Sequence, residues 1–569
     1  MDRTRQLSPQ PNLGARVFGF PLRFWAVVVV TGVLAGLGAG LLMTLLRAVQ
    51  HLAWSYRVGL FEPAVAAAPY VRRIAVLAGA GIVAGIGGLA LRRSVGGHAS
   101  ELAAGIWFHS GRLPLLYTCV RAVLSIVVVG MGASLGREGA PKQVGAAIAS
   151  TLCRWLALSP AQCRLLAACG AGAGMAAVYN LPVGGALFAL EVLLGTISLG
   201  LVLPALATSA IATAVSHVML PDQPTYSLAA LAAAPQDLWW AILFGPVAGV
   251  ASAFYVRLIA WAERSKPGGW LRGAAPVAAL TALGALAIPL PELPGNGKDV
   301  VLQAMLGEPS LTLLVLLLIL KPLVTAACLG SGAPGGLFTP SLAFGALLGG
   351  VCGRLWSGLL PAVGAAHAAV FGAGAVLAAT TQAPISAIVM LLELVHGISG
   401  LTLPLLTTTV CAIFVARRVD RRTIYSARVE RGIEAARGPA PGSWTALFPV
   451  FSPKARAVSA AAPLIEILRQ GASDSLSRPL YVLDEEGILL GEIPAGRILA
   501  SSPVGAPLET TTVADIVEPT TSIDAKTSPE VIAAMLGRDR RGEIPLVDGP
   551  SGRLVGVAVR PPRPPGEGL

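Results

Sequence analysis

Gly132-Ala133-Ser134-Leu135-Gly136-Arg137-Glu138-Gly139-Ala140-Pro141 recurs in looser form 200 positions later, as Gly332-Ala333-Pro334-Gly335-Gly336-Leu337-Phe338-Thr339-Pro340. At that offset Gly132/Gly332, Ala133/Ala333, Gly136/Gly336, Gly145/Gly345 and Ala146/Ala346 coincide. Further on the offset becomes 202: Gly170-Ala171-Gly172-Ala173 matches Gly372-Ala373-Gly374-Ala375, Pro182 matches Pro384 and Glu191 matches Glu393. A duplicated unit whose apolar segments are broken by Gly and Pro at corresponding places points to a membrane protein with a binding site near the bilayer midplane.

Composition agrees. The 569 residues are 54% hydrophobic and 13% charged, with a mean hydropathy of +0.71, whereas soluble domains are about 25% charged. Apolar runs long enough to span, roughly 17–25 residues, fall at Phe24–Leu46, Ile74–Leu91, Leu115–Met131 (despite Arg121), Leu238–Tyr255, Leu311–Ala327 and Ile398–Ala416. Helix breaks are tolerated at membrane depth only where the freed backbone is buried in protein or lines a cavity. The 66 glycines and 43 prolines are therefore architectural.

The net charge of +12 does not indicate nucleic acid, because of where it sits. Arg3, Arg5, Arg16 and Arg23 precede the first span, and Arg417, Arg418, Arg421 and Arg422 follow the last. The positive-inside rule then puts both termini in the cytoplasm of a multi-pass inner (plasma) membrane protein. The first span, at more than twenty residues, exceeds a signal-peptide core. Seven cysteines stand singly with no CxxC pair, which suggests neither a disulfide framework nor a metal site.

The expected organisation is a cytoplasmic segment 1–19, a membrane domain 20–425 with repeats at about 20–220 and 237–425, and a linker 426–450. That linker holds Gly438-Pro439-Ala440-Pro441-Gly442, which cannot stay helical. Residues 451–569 then read as soluble α/β, ending in a Pro-rich tail. Helix Pro463–Leu468, strand Pro479–Asp484, a turn and strand Ile488–Ile493 are followed by helix Pro529–Leu536, strand Ile544–Asp548, a turn and strand Arg553–Val559.

Gly136-Arg137-Glu138-Gly139 opens an apolar helical segment, Gln143–Leu156. A helix N-terminus presents unpaired N–H groups and a partial positive charge, hence an anion site, and glycine lets the ion approach the backbone. Gly336-Leu337-Phe338-Thr339-Pro340 opens its own segment in the same way. Inverted halves would bring both helix ends to one point. Glu138 is a carboxylate inside a membrane segment, expensive and normally functional; a helix-capping role is the plainer alternative.

These segments, with Tyr425, resemble the signature of the ClC chloride channel and chloride/proton antiporter family, in the right order from about Phe20 to Arg428. The twofold α/β pattern after the linker resembles a CBS domain pair, which is common in that family. The resemblance implies an all-α membrane domain with an inverted internal repeat and broken helices, plus a small cytoplasmic α/β CBS pair. It also implies a homodimer that moves chloride or other small anions across the bilayer, is voltage-gated, and has no resident cofactor, metal or enzymatic activity.

By the same resemblance Glu138 is the gating glutamate. Gly136, Arg137, Gly139, Gly336, Leu337 and Phe338 form the anion-binding segments, and the Tyr425 hydroxyl donates to the ion.

Four departures qualify this. Gly97 stands where the family has a serine hydroxyl, so chloride preference is open; His98 beside it either substitutes as a donor or is a loop residue without ion contact. Val192 occupies the internal proton-transfer position and cannot relay a proton, which favours a channel over an antiporter, while Glu191 with its mate Glu393 reads as structural. Lys142, one turn beyond Glu138, either makes the pore electropositive or snorkels to the surface. The CBS-like units lack the terminal Asp that holds ribose, as in Gly491-Glu492-Ile493-Pro494-Ala495-Gly496-Arg497, so nucleotide binding is not expected. A CBS-gated divalent-cation transporter would need more pore carboxylates than Glu101, Glu138, Glu191 and Glu393 supply. A membrane enzyme built on His98 and Glu138 lacks a nucleophile motif or metal cluster.

Overall fold

A computed structural model of the chain describes residues 16–428, apart from 18–19, 57–58, 96–101, 109–110 and 358–362. Beyond those it describes 450–452, 457–462, 480–493, 512–524, Met535 and 543–559, with gaps inside the last two ranges. Gly97 and His98 lie outside the described residues, as do residues 1–15, most of the linker, nearly all of the helices expected at 463–468 and 529–536, and the Pro-rich tail.

After a short pairing of β1 (Arg16–Val17) with β2 (Phe20–Pro21), the described residues of the first half form nine α-helices and one π-helical stretch. They are α1 (Leu22–Trp54), α2 (Phe61–Ala67), α3 (Tyr70–Val95), α4 (Leu102–Phe108), α5 (Leu115–Gly130), α6 (Gly139–Trp155), α7 (Pro160–Tyr179), α8 (Pro182–Leu187), a π-helical stretch Phe188–Leu194, and α9 (Leu199–Ser216). The second half holds α10 (Pro235–Arg264), α11 (Leu271–Leu286), α12 (Lys298–Leu306), α13 (Leu311–Ser331), α14 (Phe338–Trp356), α15 (Ala365–Thr381), α16 (Pro384–Leu394) and α17 (Thr402–Val419). Among the described residues seven helices are long and apolar enough to cross a membrane: α1, α3, α9, α10, α13, α14 and α17.

The duplication is visible in three dimensions. In each half two helices touch backbone to backbone where both carry glycine. A Cβ on Gly145 would lie 2.0 Å from the Gly170 carbonyl oxygen, and one on Gly345 would lie 2.4 Å from that of Gly372. Any side chain there would force α6 from α7, or α14 from α15. Both α7 and α15 end on a non-glycine residue in the left-handed region, Asn180 (φ 56°) and Gln382 (φ 58°). Pro182 and Pro384 then start the next helices, where a missing N–H costs nothing.

Two boundaries differ from the sequence reading. Helix α6 starts at Gly139, not Gln143, because Pro141 sits in the first turn, where it has no intrahelical donor to lose. Helix α17 starts at Thr402, not Ile398, because the chain before it turns away after β4 (Val395–His396) pairs in parallel with β3 (Tyr226–Ser227). The stretch between the halves thus carries a strand.

A second compact unit covers Pro439–Arg563. One sheet has β6 (Ala457–Ser459) parallel to β7 (Leu480–Leu483), which forms an antiparallel pair with β8 (Leu489–Ile493). The other has β9 (Ile523–Asp524) parallel to β10 (Glu543–Val547), paired antiparallel with β11 (Leu554–Val559), whose far edge takes β5 (Val450–Ser452). The same three-strand pattern therefore occurs twice.

Candidate functional site

The two glycines that head the repeat meet. Gly136 N–H donates to the Gly336 carbonyl at 2.8 Å, and Gly336 N–H donates to that of Gly136 at 2.7 Å. This antiparallel bridge between equivalent residues lies beside the N-termini of α6 and α14, so two partly positive helix ends face a common region. Ser125 Oγ, donating to the Pro334 carbonyl at 3.2 Å, and Arg428 Nη1, donating to that of Gly335 at 3.2 Å, hold the loop before α14. Ser134 and Thr325 hydroxyls pair at 3.2 Å behind the other loop.

Glu138 crosses from one helix end to the other. Its Oε1 accepts from Phe338 N–H at 2.8 Å, and its Oε2 accepts from the Tyr179 hydroxyl at 3.2 Å and the Thr339 hydroxyl at 3.4 Å. The residue is fully buried. Burying a carboxylate costs several kcal/mol, offset here by hydrogen bonds to a charged acceptor worth about 1.5–3 kcal/mol each and by the dipole of α14. Glycine at 136 and 336 makes room: a Cβ on either would lie within 2.3 Å of a Glu138 carboxylate oxygen. Tyr179 and Thr339 were not singled out from sequence; their hydroxyls also stand 2.6 Å apart, and with two protons between them a bond from one to the other replaces one of the two donated to Glu138.

The Arg137 guanidinium stands over the Tyr179 ring at 5.2 Å. It lines a cleft with Glu62, Glu292, Asn296, Lys298 and Asp299. Lys321 braces one wall: its Nζ donates to the carbonyls of Glu292, Leu293, Pro294 and Gly295 at 2.7–3.4 Å. In that wall, outside the spanning segments, burial lifts the Glu292 carboxyl above the ordinary carboxylate range. The charge of Glu62 adds to this, against a backbone hydrogen bond and Lys321.

Tyr425 sits in a turn after α17, capped by Thr423 Oγ1, which accepts from Ser426 N–H at 2.9 Å. Ile424 N–H anchors the turn on the Thr380 carbonyl at 3.0 Å. The Tyr425 ring packs edge-on against Phe188 at 5.7 Å. Lys142 does not snorkel. It is 4% exposed, with Nζ 3.4 Å from the Tyr425 hydroxyl and over the rings of Phe188 (5.0 Å) and Tyr425 (5.2 Å).

Val192 is buried at 4% exposure. Beside it, both oxygens of Glu191 are taken: Oε1 accepts from Ile385 N–H at 3.3 Å, and Oε2 accepts from the Ser386 N–H and hydroxyl, each at 2.6 Å. Its mate Glu393 accepts from Val183 N–H at 3.0 Å and Gly184 N–H at 2.6 Å. Among the described residues no group of three or more His, Cys, Asp or Glu could hold a metal ion.

Two related halves that meet at helix N-termini, with a carboxylate crossing between them, define a membrane protein built around an anion path. The voltage-gated chloride channel family model matches residues 76–417, and the chain belongs to that family of anion-transporting membrane proteins. A ClcB-like chloride channel protein of Ralstonia nicotianae is 32% identical over 431 residues, 71% of this chain and 97% of the relative. An H(+)/Cl(-) exchange transporter ClcA of Vibrio parahaemolyticus is 32% identical over 329 residues, 54% of this chain and 68% of the relative. The fold matches a slow cyanobacterial Cl-/H+ antiporter (TM-score 0.63, 24% identity, 72% of this chain and 98% of that one). It also matches a eukaryotic CLC transporter (TM-score 0.60, 19% identity, 95% and 97%).

Proposed function

We propose that the chain conducts chloride or similar small anions passively across a membrane, with Glu138 as the gate. One observation carries this reading: the Glu138 carboxylate, itself an anion, is held by the Phe338 amide where two helix N-termini meet. A side chain in that place competes with a free anion for the same donors, and its withdrawal opens the path. Leu337, Phe338 and Tyr425 are the anion's other contacts in this proposal, with Gly136, Gly139 and Gly336 letting it close to the backbone and Arg137 attracting it at the cleft.

Passive conduction is favoured by Val192 and by the engagement of both Glu191 oxygens in capping α16, which leave that stretch without a free proton carrier. Chloride/proton exchange is the second reading, favoured by relatives named as exchange transporters. Reconstitution in liposomes separates them. Chloride efflux without uphill proton movement under a chloride gradient supports conduction; robust uphill proton movement supports exchange. The proposal extends to a homodimer in the plasma membrane with both termini cytoplasmic. It also takes 451–569 as a CBS pair that binds no nucleotide, supported by the twice-occurring strand pattern.

A further inference from the structure

Lys142 stands in the wrong place for an ordinary lysine on three counts. It is 4% exposed, so its ammonium is out of water. It lies in the first turns of α6, the end of a helix whose dipole repels a cation. Among the described residues no carboxylate oxygen comes within ion-pair distance of Nζ, and of its three N–H donors only one finds an acceptor, the Tyr425 hydroxyl at 3.4 Å. The faces of Phe188 and Tyr425 recover part of the cost. They do not supply hydrogen-bond acceptors of ordinary strength.

The hydroxyl of Tyr425 completes the pattern. Accepting from Nζ, it keeps its own proton for another acceptor, and among the described residues none is present. Two buried donors, one of them charged, therefore sit side by side with donor capacity unused. The nearest acidic side chain on the same helix end, Glu138, is engaged by Phe338, Tyr179 and Thr339. A small anion contacting both Nζ and the Tyr425 hydroxyl would remove the desolvation cost, the missing partners and the unfavourable dipole together.

We propose that the Lys142 ammonium is a direct ligand of the transported anion, sharing it with the Tyr425 hydroxyl and setting its preference. This rests on the anion-transport reading above. An ammonium is a compact point charge, and such a field favours the smaller anion of higher charge density, chloride, over nitrate or thiocyanate.

The test uses the full-length protein, with chloride flux in liposomes and chloride binding by calorimetry in detergent. We expect the wild type to carry chloride and Lys142→Met to bind it roughly tenfold or more weakly, the loss of one charged donor. The flux selectivity of that variant should move toward nitrate and thiocyanate, while Lys142→Arg keeps most of the affinity. A folded Lys142→Met with unchanged affinity and selectivity, beside an active wild type, overturns the inference and leaves the transport reading intact. A wild type without anion flux overturns both. If Lys142→Met does not fold, wild-type crystals grown in bromide decide: an anomalous peak within hydrogen-bond distance of Nζ supports the assignment, and peaks only elsewhere defeat it.

Discussion

Glu191 and Glu393, equivalent residues 202 positions apart, each cap a helix of the opposite repeat: Glu191 takes the amides of Ile385 and Ser386, and Glu393 those of Val183 and Gly184. The exchange ties α8 to α16 and supplies acceptors for first-turn amides that have none within their own helices. Each carboxylate therefore secures the half of the molecule that it does not belong to.

Replacing Glu393 by Ala should destabilise the protein by about 3–6 kcal/mol, the loss of two hydrogen bonds to a charged acceptor, read as a fall in the detergent melting temperature. Glu191→Ala should do the same while leaving anion selectivity as it is. A Glu191 variant of wild-type stability but altered proton or anion flux would show that the residue serves the path and not the scaffold.

Glu138→Gln should remove gating without abolishing permeation, because an amide carries no charge to compete with the anion for the Phe338 amide. Liposome efflux at several pH values measures it. A Glu138→Gln variant whose efflux is still gated as in the wild type would place the gate elsewhere.

The cleft beside Arg137 should add its own pH dependence. Burial raises the Glu292 carboxyl, so on acidification it loses its negative charge before ordinary glutamates do. Arg137 and Lys298 are then less opposed, and anions enter more readily. Glu292→Gln should accordingly raise chloride flux at neutral pH and flatten the rise toward acid. A variant slower than wild type at neutral pH would contradict this sign.

Lys321→Met should cost about 3 kcal/mol or more, since it strips a charged donor from the carbonyls of residues 292–295. The melting temperature reads the cost. Flux should fall with it, because the same loop walls the cleft; a variant of unchanged stability would show that water replaces the ammonium.

The repeat was legible because its glycines have a geometric reason to persist. Gly145 and Gly345 permit backbone contact, and Gly136 and Gly336 admit the Glu138 carboxylate, so a constant offset in sequence became a bridge in space. Tyr179 was not legible: a tyrosine at a helix end reads equally well as an interfacial anchor, and only the fold brings its hydroxyl to Glu138. Lys142 could not be decided from sequence either, since burial and snorkelling differ by where Phe188 and Tyr425 lie. The latter stands 283 positions downstream of the lysine. Helix α17 was read too early because an apolar run cannot reveal that Val395–His396 is a strand paired with a distant segment.

The bridge between Gly136 and Gly336 also orders events during biosynthesis. At about 5–20 residues per second, roughly 10–40 s separate the emergence of its two partners from the ribosome, and Tyr425 follows later still. Until the second repeat emerges, Gly136 has no partner for its N–H and carbonyl, and Glu138 lacks the Phe338 amide. A chain truncated or stalled before Gly336 therefore has neither the bridge nor the Phe338 amide that holds Glu138.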